Sequence, residues 1–336
     1  MTELRPLASD IHLGGTTVSV SMLGAWWKCP RLWYFQYLHP TDGDARGVEP
    51  RYTGSPLIVG SGFHIGLHAY YASGKEGPDW SMDAGLAAAR AMFAARRNEF
   101  ETDERWATDL AETERMLLAY AREYEREWPD LRPAAVEQTY TVQLRTGHNL
   151  SVRPDMLAYN FGQLVTVEHK CPGANRVQST IGAARLGGQG LAQAAVLRAH
   201  DVPTNGMLLN IAVRGDYRVL KSGPGYTSVK VPFKREVIAH PIVLVDYVLE
   251  LAATTCQDIV AAVNRWGTLR DDGMAPMEAA RIAFPMAGLF SNQCAGSYPC
   301  SMFSLCSSPG REAQTIAANF RTRTYKADTI PQEATE

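Results

Sequence analysis

Apolar and polar positions along the chain predict helices first and a group of strands afterwards. Apolar residues recur at helical spacing in four segments, which are residues 22–38, 59–72, 79–100 and 103–127. Apolar and polar residues then alternate in three segments, which are residues 134–144, 150–159 and 164–170. Alternation of this kind is typical of strands with one buried face. The pattern therefore predicts a helical region followed by a three-strand meander.

The second half of the chain continues the alternation of elements. We expect a loop to about residue 188, and then four elements: a helix over 189–200, an apolar strand over 206–213, an edge strand over 226–239 and a long amphipathic helix over 241–266. Helices and strands that alternate in this order indicate an α/β fold. A Cys-rich segment and a polar tail over 311–336 complete the chain.

Local signals set some of the expected boundaries. Ser21 is a candidate N-cap for the aromatic helix, and Pro30, after Cys29, is expected to interrupt that helix. Residues 40–57 are rich in Gly, Pro and Asp, which is typical of a loop. Trp128-Pro129 is expected to end the last helix before the strands.

Residues 153–170 form a predicted hairpin that carries the candidate chemistry. A turn is expected at residues 160–162, with Asp155 on the first strand and Glu168 and Lys170 on the second. Residues two apart on a strand share a face, so Glu168 and Lys170 lie together and the hairpin brings Asp155 beside them. Two carboxylates and an ammonium favour a hard divalent cation such as Mg²⁺, whereas an ordinary solvated face is the competing interpretation.

Composition indicates a soluble globular protein. The 336 residues are 46% hydrophobic and 20% charged, which allows a sizeable core and disfavours global disorder. No apolar run is long enough to span a bilayer, and the N-terminus lacks the apolar core of a signal peptide. We expect a cytoplasmic protein without a membrane partner.

Charge is unevenly distributed although the net charge is only −2. Residues 96–130 contain eleven acidic and six basic side chains, whereas residues 145–240 contain twelve basic and five acidic ones. The segment around the hairpin is thus locally positive, as a surface that follows phosphates would be. Chance asymmetry between an exposed helix and a sheet would give the same pattern.

The six cysteines point to metal chemistry more than to disulfides. Disulfides are rare in cytosolic chains of this size. Cys294, Cys300 and Cys306 are spaced C-x₅-C-x₅-C, which suggests a metal or cluster site near the C-terminus. Cys171 and Cys256 are expected to be ordinary packing cysteines.

Five motifs together carry a resemblance to the RecB-like branch of the PD-(D/E)XK nuclease superfamily. Pro154-Asp155 and Glu168-His169-Lys170 match the PD and ExK elements. The other matches are the aromatic helix with Cys29-Pro30, the Gly60-Ser-Gly-Phe-His64 segment, Gln189 at the start of a helix, and the C-terminal cysteines. In these respects the chain is similar to CRISPR-associated RecB-like exonucleases.

The resemblance implies a restriction-endonuclease-like α/β core with a mixed central sheet. It also implies a metal-dependent DNA nuclease. His64, Asp155 and Glu168 would hold Mg²⁺ or Mn²⁺, Lys170 would position water or neutralise charge, and Gln189 would orient substrate or water. DNA ends or single strands would be the substrate, and an exonuclease is the expected activity.

The same resemblance implies an iron–sulfur site. Cys29, Cys294, Cys300 and Cys306 would hold a [4Fe–4S] cluster that joins the two ends of the chain. Zinc is the competing occupant of the four thiolates.

The chain departs from the family pattern at three places, and one further residue is ambiguous. The helix motif of the family is usually Gln-x-x-x-Tyr, but Gln193 stands where tyrosine is expected; Arg153 replaces a glycine; and the cysteine spacing is wider than the common form. Glu137 would help the metal site, hold Lys170, or be a solvated strand end. His68 has no family match and is expected to pack or cap.

We therefore expect a single nuclease domain over residues 1–310. Its expected parts are an N-terminal helix (19–38), a helical region (59–130), a catalytic core (134–239), and a long helix with the Cys-rich segment (240–307). The alternatives are a catalytically silent DNA-binding protein and a zinc-stapled assembly protein that keep the same fold. The sequence identifies no protein partner.

Overall fold

The computed structural model describes residues 17–41, 47–73, 80–124, 130–204, 206–215, 233–287, 294 and 300–323. The chain divides into two compact units, which are described separately. The central unit comprises residues 12–23 and 53–257, and the terminal unit comprises residues 1–11, 24–52 and 258–336. No helix in the described ranges is long and apolar enough to cross a membrane.

The secondary structure is a mixture of helices and strands along the whole described chain. The strands are β1 (Thr17–Ser19), β2 (Val48–Pro50), β3 (Leu131–Val136), β4 (Tyr140–Gln143), β5 (Asn149–Val152), β6 (Met156–Asn160), β7 (Gln163–Lys170), β8 (Met207–Ala212), β9 (Phe233–Ile238) and β10 (Phe320–Thr322). The α-helices are α1 (Val20–Lys28), α2 (Pro30–Trp33), α3 (Ser55–Ala72), α4 (Met82–Ala95), α5 (Asp103–Glu123), α6 (Val177–Leu186), α7 (Gly188–Ala199), α8 (Ile242–Asp271), α9 (Pro276–Ala283), α10 (Phe303–Cys306) and α11 (Glu312–Asn319).

A five-stranded mixed sheet forms the centre of the central unit. Its strand order is β3-β6-β7-β8-β9. Strands β7 and β8 are parallel, and the other neighbours are antiparallel. The expected α/β class with a mixed sheet is confirmed, and β9 lies at the edge as predicted. The first residues of the segment expected to form this edge strand, 226–232, lie outside the described residues.

The predicted three-strand meander is wrong in one respect, because two of its strands break. The segment 134–144 divides into β3 and β4, and the segment 150–159 divides into β5 and β6. Strands β3 and β6 belong to the five-stranded sheet, whereas β4 and β5 form a three-stranded sheet with β1. Glu137 adopts a left-handed conformation (φ 51°) at the first break, and Pro154 lies in the second, where its missing N–H cannot continue a strand ladder.

The turn of the β6–β7 hairpin occurs where the sequence predicts it. Phe161 and Gly162 form a two-residue connection, and both have positive φ values of 47° and 81°. Two consecutive left-handed residues match the right-handed twist of the flanking strands. This turn fixes the register in which Met156 pairs with Val167.

Different helices cover the two faces of the central sheet. Val165 and Val167 pack into a core with residues of α3, α4 and α5, whereas Leu209 and Ile211 pack with Ile181 of α6. Helices α3 and α4 approach closely because Gly66 and Gly85 meet there: a Cβ on Gly85 would lie 2.8 Å from the Gly66 carbonyl oxygen.

Two helices precede β8 where one was predicted. Helix α7 agrees with the expected helix over 189–200, but α6 occupies a segment that was expected to be loop. Its sequence, VQSTIGAARL, has few large apolar residues, and Ile181 is its buried one. The sheet face supplied the packing that the local pattern did not reveal.

The N-terminal aromatic segment breaks at Cys29 as expected. Cys29 is extended (φ −170°), and Pro30 begins the next helix, α2. The expected N-cap, Ser21, is wrong: α1 begins at Val20, and the Ser19 hydroxyl accepts the Met22 N–H at 3.2 Å. Residues 34–38 form a π-helical turn.

Aromatic packing dominates the terminal unit. Phe284 stacks on Tyr34 and Trp33 with ring centroids 5.1 and 5.9 Å apart. The loop expected over 40–57 contains β2, which pairs with β10. The segment expected to be a polar tail begins with α11 and β10, and its residues 324–336 lie outside the described chain.

Candidate active site

Strand β7 presents its polar residues on two opposite faces. Its Val- and Thr-containing sequence, QLVTVEHK, favours a strand, and alternation puts Glu168 and Lys170 on one face and His169 on the other. Glu168 is only 2% exposed, whereas the Lys170 side chain is 37% exposed. A buried carboxylate therefore lies beside an ammonium that solvent can reach.

Asp155 lies at the bend between β5 and β6 instead of within a strand, which corrects the expected placement. Its Oδ2 accepts the backbone N–H of His169 at 2.7 Å and lies 3.3 Å from His64 Nδ1. The hairpin register places Asp155 next to Glu168, because Met156 pairs with Val167. The bend thus turns the carboxylate toward both α3 and β7.

Glu168 receives hydrogen bonds from three side chains. Lys170 Nζ and Gln189 Nε2 donate to its Oε1 at 2.5 and 2.6 Å, and Gln193 Nε2 donates to its Oε2 at 3.2 Å. Lys170 also donates to Gln189 Oε1 at 3.3 Å. These hydrogen bonds join Lys170, Gln189 and Gln193 to Glu168, and the hairpin register places Asp155 beside Glu168.

Glu137 also joins the site, and the sequence left its role open. Its backbone N–H donates to the Asp155 carbonyl oxygen at 3.1 Å, and its Oε2 lies 2.8 Å from Arg153 Nε. The left-handed break after β3 directs this residue to the bend that carries Asp155. A glutamate next to a strand break was the available signal, but the break itself depends on the tertiary structure.

The three carboxylates have different proton affinities. Burial raises the pKa of Asp155, but the charge and hydrogen bond of His64 outweigh it, so the net pKa lies well below the ordinary value. Burial and the Asp155 charge raise the pKa of Glu168. The same two causes raise the pKa of Glu137 to about 7. Negative charge is thus crowded at this point, and a cation would relieve the crowding.

Neighbouring carboxylates raise the pKa values of the two basic side chains, His64 and Lys170. Burial lowers the pKa of His64, but the Asp155 carboxylate overcomes this effect and raises it. Burial likewise lowers the pKa of Lys170, and the charge and hydrogen bond of Glu168 overcome it and raise that pKa. The Lys170 amine is therefore protonated at neutral pH.

The donor set at the bend fits a divalent metal ion. Ligand atoms of His64, Glu137 and Asp155 all lie within 4.8 Å of one another. Two carboxylates and one imidazole suit Mg²⁺ or Mn²⁺, which retain waters at their remaining positions. The crowded carboxylates show that the residues present fit such an ion.

A buried polar network, which was not predicted, lies on the face of β7 opposite Glu168 and Lys170. His169 Nδ1 lies 2.8 Å from Asn210 Nδ2, which also donates to the Tyr120 hydroxyl at 2.7 Å. Burial lowers the pKa of His169 to about 3, so its ring is neutral. His68 belongs to α3, one turn after His64, and its Nδ1 is buried without a hydrogen-bond partner in the described chain.

The cysteines of the predicted cluster all lie in the terminal unit. All six cysteines are free thiols. Burial raises the pKa of Cys306, and negative charge on Cys29, Cys300 and Cys294 would raise it further, so the four sulfur atoms are electrostatic neighbours. The other two cysteines belong to the central unit: Cys171 follows β7 and packs against the core of that unit, and Cys256 is buried in α8.

Of two comparisons with known proteins, one finds a match. A search of curated proteins finds none that matches the chain. A family model of the PD-(D/E)XK nuclease superfamily matches residues 17–276, a range that contains the mixed sheet and the Asp155, Glu168 and Lys170 constellation. The chain belongs to the PD-(D/E)XK nuclease superfamily.

Proposed function

We propose that this chain is a Mg²⁺- or Mn²⁺-dependent deoxyribonuclease, and that it acts as an exonuclease on DNA ends or single strands. The observation that carries the proposal lies at one end of the β6–β7 hairpin, where Lys170 donates to Glu168 and the strand register places Asp155 beside them. An isolated solvated face would not bury Glu168 to 2% exposure among three donors. The superfamily makes a nucleic-acid substrate the expected one.

Each residue has a role that its contacts support. His64, Glu137, Asp155 and Glu168 would hold the metal. A bound divalent ion polarises the scissile phosphate and lowers the pKa of a bound water. Lys170 carries a positive charge because Glu168 raises its pKa, so it suits stabilisation of charge on the phosphate better than removal of a proton.

Gln189 and the bend complete the proposed arrangement. Gln189 bridges Glu168 and Lys170, and its position at the start of α7 lets it orient substrate or the attacking water. The backbone N–H of His169 keeps the Asp155 carboxylate in place.

DNA as the substrate is supported by charge and by the resemblance of the chain to RecB-like exonucleases. Residues 145–240 carry twelve basic and five acidic side chains. An excess of basic side chains attracts a phosphate backbone whatever its base sequence. Exonuclease action rests on the resemblance alone.

We also propose that Cys29, Cys294, Cys300 and Cys306 hold a [4Fe–4S] cluster. All four residues lie in the terminal unit, and negative charge on Cys29, Cys300 and Cys294 would act on Cys306. Zinc is the competing occupant of the four thiolates.

A basic side chain adds support to the cluster proposal. Arg31 is 5% exposed, and its Nε donates to the Phe284 carbonyl oxygen at 2.7 Å. Burial lowers the pKa of Arg31, whereas charge on Cys306 and Cys29 would raise it. Burial raises the pKa of Cys306, and the positive charge of Arg31 offsets part of that rise and so favours the thiolate, which is the form that binds iron.

A cleavage assay with matched charge-removing variants tests the nuclease proposal. Wild-type protein with Mn²⁺ should degrade end-labelled single-stranded DNA, and EDTA should stop the reaction. Asp155→Asn and Glu168→Gln keep the side-chain shape, and each should abolish cleavage and weaken Mn²⁺ binding in calorimetry. Shortened products from the labelled end would support exonuclease action. DNA binding without cleavage by the wild type would instead support the catalytically silent alternative.

A further inference from the structure

Gln193 is a buried amide on α7, one turn after Gln189. Residues four apart lie on the same helix face, so both side chains point toward β7. Gln193 is 1% exposed, and its neighbours Ala192, Ala195 and Val196 are buried apolar residues. A polar side chain in this environment calls for a specific partner.

That partner is the second oxygen of Glu168. Gln193 Nε2 donates to Oε2 at 3.2 Å, whereas Lys170 and Gln189 both donate to Oε1. Within the described ranges, Gln193 is thus the side chain that donates a hydrogen bond to Glu168 Oε2. The χ3 torsion of a glutamate has a broad energy minimum and does not by itself fix the carboxylate plane. Hydrogen-bond donors on both oxygens therefore determine the orientation of that plane.

The amide orientation follows from the charge of its partner. With the amide reversed, its oxygen would face the carboxylate oxygen, and two acceptors would repel each other. In the observed orientation Gln193 Oε1 is buried and has no hydrogen-bond partner in the described part of the chain. The Nε2 group of Gln193 therefore holds Glu168, whereas the unpaired Oε1 atom lowers the stability of the folded state.

We propose that Gln193 is a positioning residue, which turns the Glu168 carboxylate so that the remaining lone pair of Oε2 faces the divalent metal ion. The inference rests on the proposed metal-dependent function of the same site. Gln193 acts through Glu168 and touches neither metal nor substrate. Partners of this kind fix the orientation of a ligand, and their loss weakens metal affinity.

Gln193→Met separates this role from a structural one. Methionine has a similar length and lacks both the donor and the unpaired acceptor, so the melting temperature should stay within about 2 °C of the wild type. The dissociation constant for Mn²⁺, measured by calorimetry without DNA, should rise about 10- to 100-fold. Part of the lost cleavage rate should return at saturating Mn²⁺.

Thr113→Val is the matched control. Thr113 is fully buried on α5, which packs on the opposite sheet face, and its hydroxyl donates to the Asp109 carbonyl oxygen. This variant also removes a buried polar group, yet it should bind Mn²⁺ like the wild type. In addition, Gln193→Met should have little further effect on Mn²⁺ affinity when Glu168→Gln is already present, because the two residues act as one unit.

The outcomes distinguish failure of the positioning role of Gln193 from failure of the proposed nuclease function. Unchanged Mn²⁺ affinity in Gln193→Met, an equal loss in Thr113→Val, or full additivity with Glu168→Gln would overturn the positioning role while leaving a metal-dependent nuclease in place. A wild-type protein that neither binds Mn²⁺ nor cleaves DNA would overturn the proposed function and this inference with it.

Discussion

Replacement of Glu137 by glutamine should stabilise the metal-free protein at high pH. Burial and the Asp155 charge raise the pKa of Glu137 from 4.5 to about 7. A carboxyl with a higher pKa in the folded state binds its proton more tightly there. Its contribution to stability is therefore fully present below about pH 4.5 and is lost as pH rises through about 7.

The size of the effect follows from the shift. At about 1.4 kcal/mol per pKa unit, the rise from 4.5 to about 7 corresponds to about 3 kcal/mol. Solvent at the exposed part of the side chain, which is 14% exposed, reduces this to about 2–3 kcal/mol. Glutamine keeps an oxygen that accepts from Arg153, so the substitution removes mainly the penalised charge.

Urea unfolding in EDTA at pH 5 and pH 8 measures this effect. The free energy of unfolding of Glu137→Gln should be close to that of the wild type at pH 5 and about 2–3 kcal/mol higher at pH 8. Added Mn²⁺ at pH 8 should stabilise the wild type more than the variant, because only the wild type retains this carboxylate ligand. The exposed Glu250, changed to glutamine, serves as the control for removal of one carboxylate that lies outside the site.

Two results would contradict the reasoning. A difference between Glu137→Gln and the wild type that is the same at both pH values would show that Glu137 does not titrate between them. Equal stabilisation of both proteins by Mn²⁺ would show that Glu137 is not a metal ligand. It would not exclude Asp155 as a ligand.

The remaining predictions concern catalysis, substrate and cluster. Lys170→Met should lower the rate of cleavage by at least about 10²-fold at saturating Mn²⁺ while circular dichroism stays unchanged, and a rate near that of the wild type would exclude Lys170 from charge stabilisation. The affinity for DNA should fall as the salt concentration rises, because binding of phosphates by the basic segment 145–240 releases counterions. An affinity that does not change with salt concentration would point to a protein ligand. Cys29→Ser should lose bound iron and lower the melting temperature as much as Cys300→Ser, and Cys256→Ser should do neither. An iron-free wild type after anaerobic purification would contradict the cluster.

The periodic features of the chain were predictable from the sequence because they depend on neighbours along the chain. The β6–β7 hairpin follows from alternation and from Gly162, and the positions of Glu168 and Lys170 on one face follow from the two-residue period of a strand. Helix α7 likewise follows from its apolar spacing, which places Gln189 at its start.

The strand breaks were not predictable in the same way. Residues 134–144 and 150–159 each look like one continuous strand, because apolar and polar positions alternate through both. Glu137 and Pro154 interrupt them, and the two halves then join different sheets. Which sheet a strand segment joins depends on partners distant in sequence, such as β1 pairing with β5.

The sequence by itself determined the residues that match the superfamily motif. These are an aspartate, a glutamate and a lysine at the spacing of a hairpin, followed by a helix with a glutamine near its start. Only the tertiary structure decided how each carboxylate is held. The break at Glu137 brings a third acid to the bend at Asp155, and one turn of α7 brings Gln193 to the buried oxygen of Glu168. The physical reason is that burial and hydrogen bonding, which set charge state and orientation, arise from contacts between elements and leave no period in the sequence.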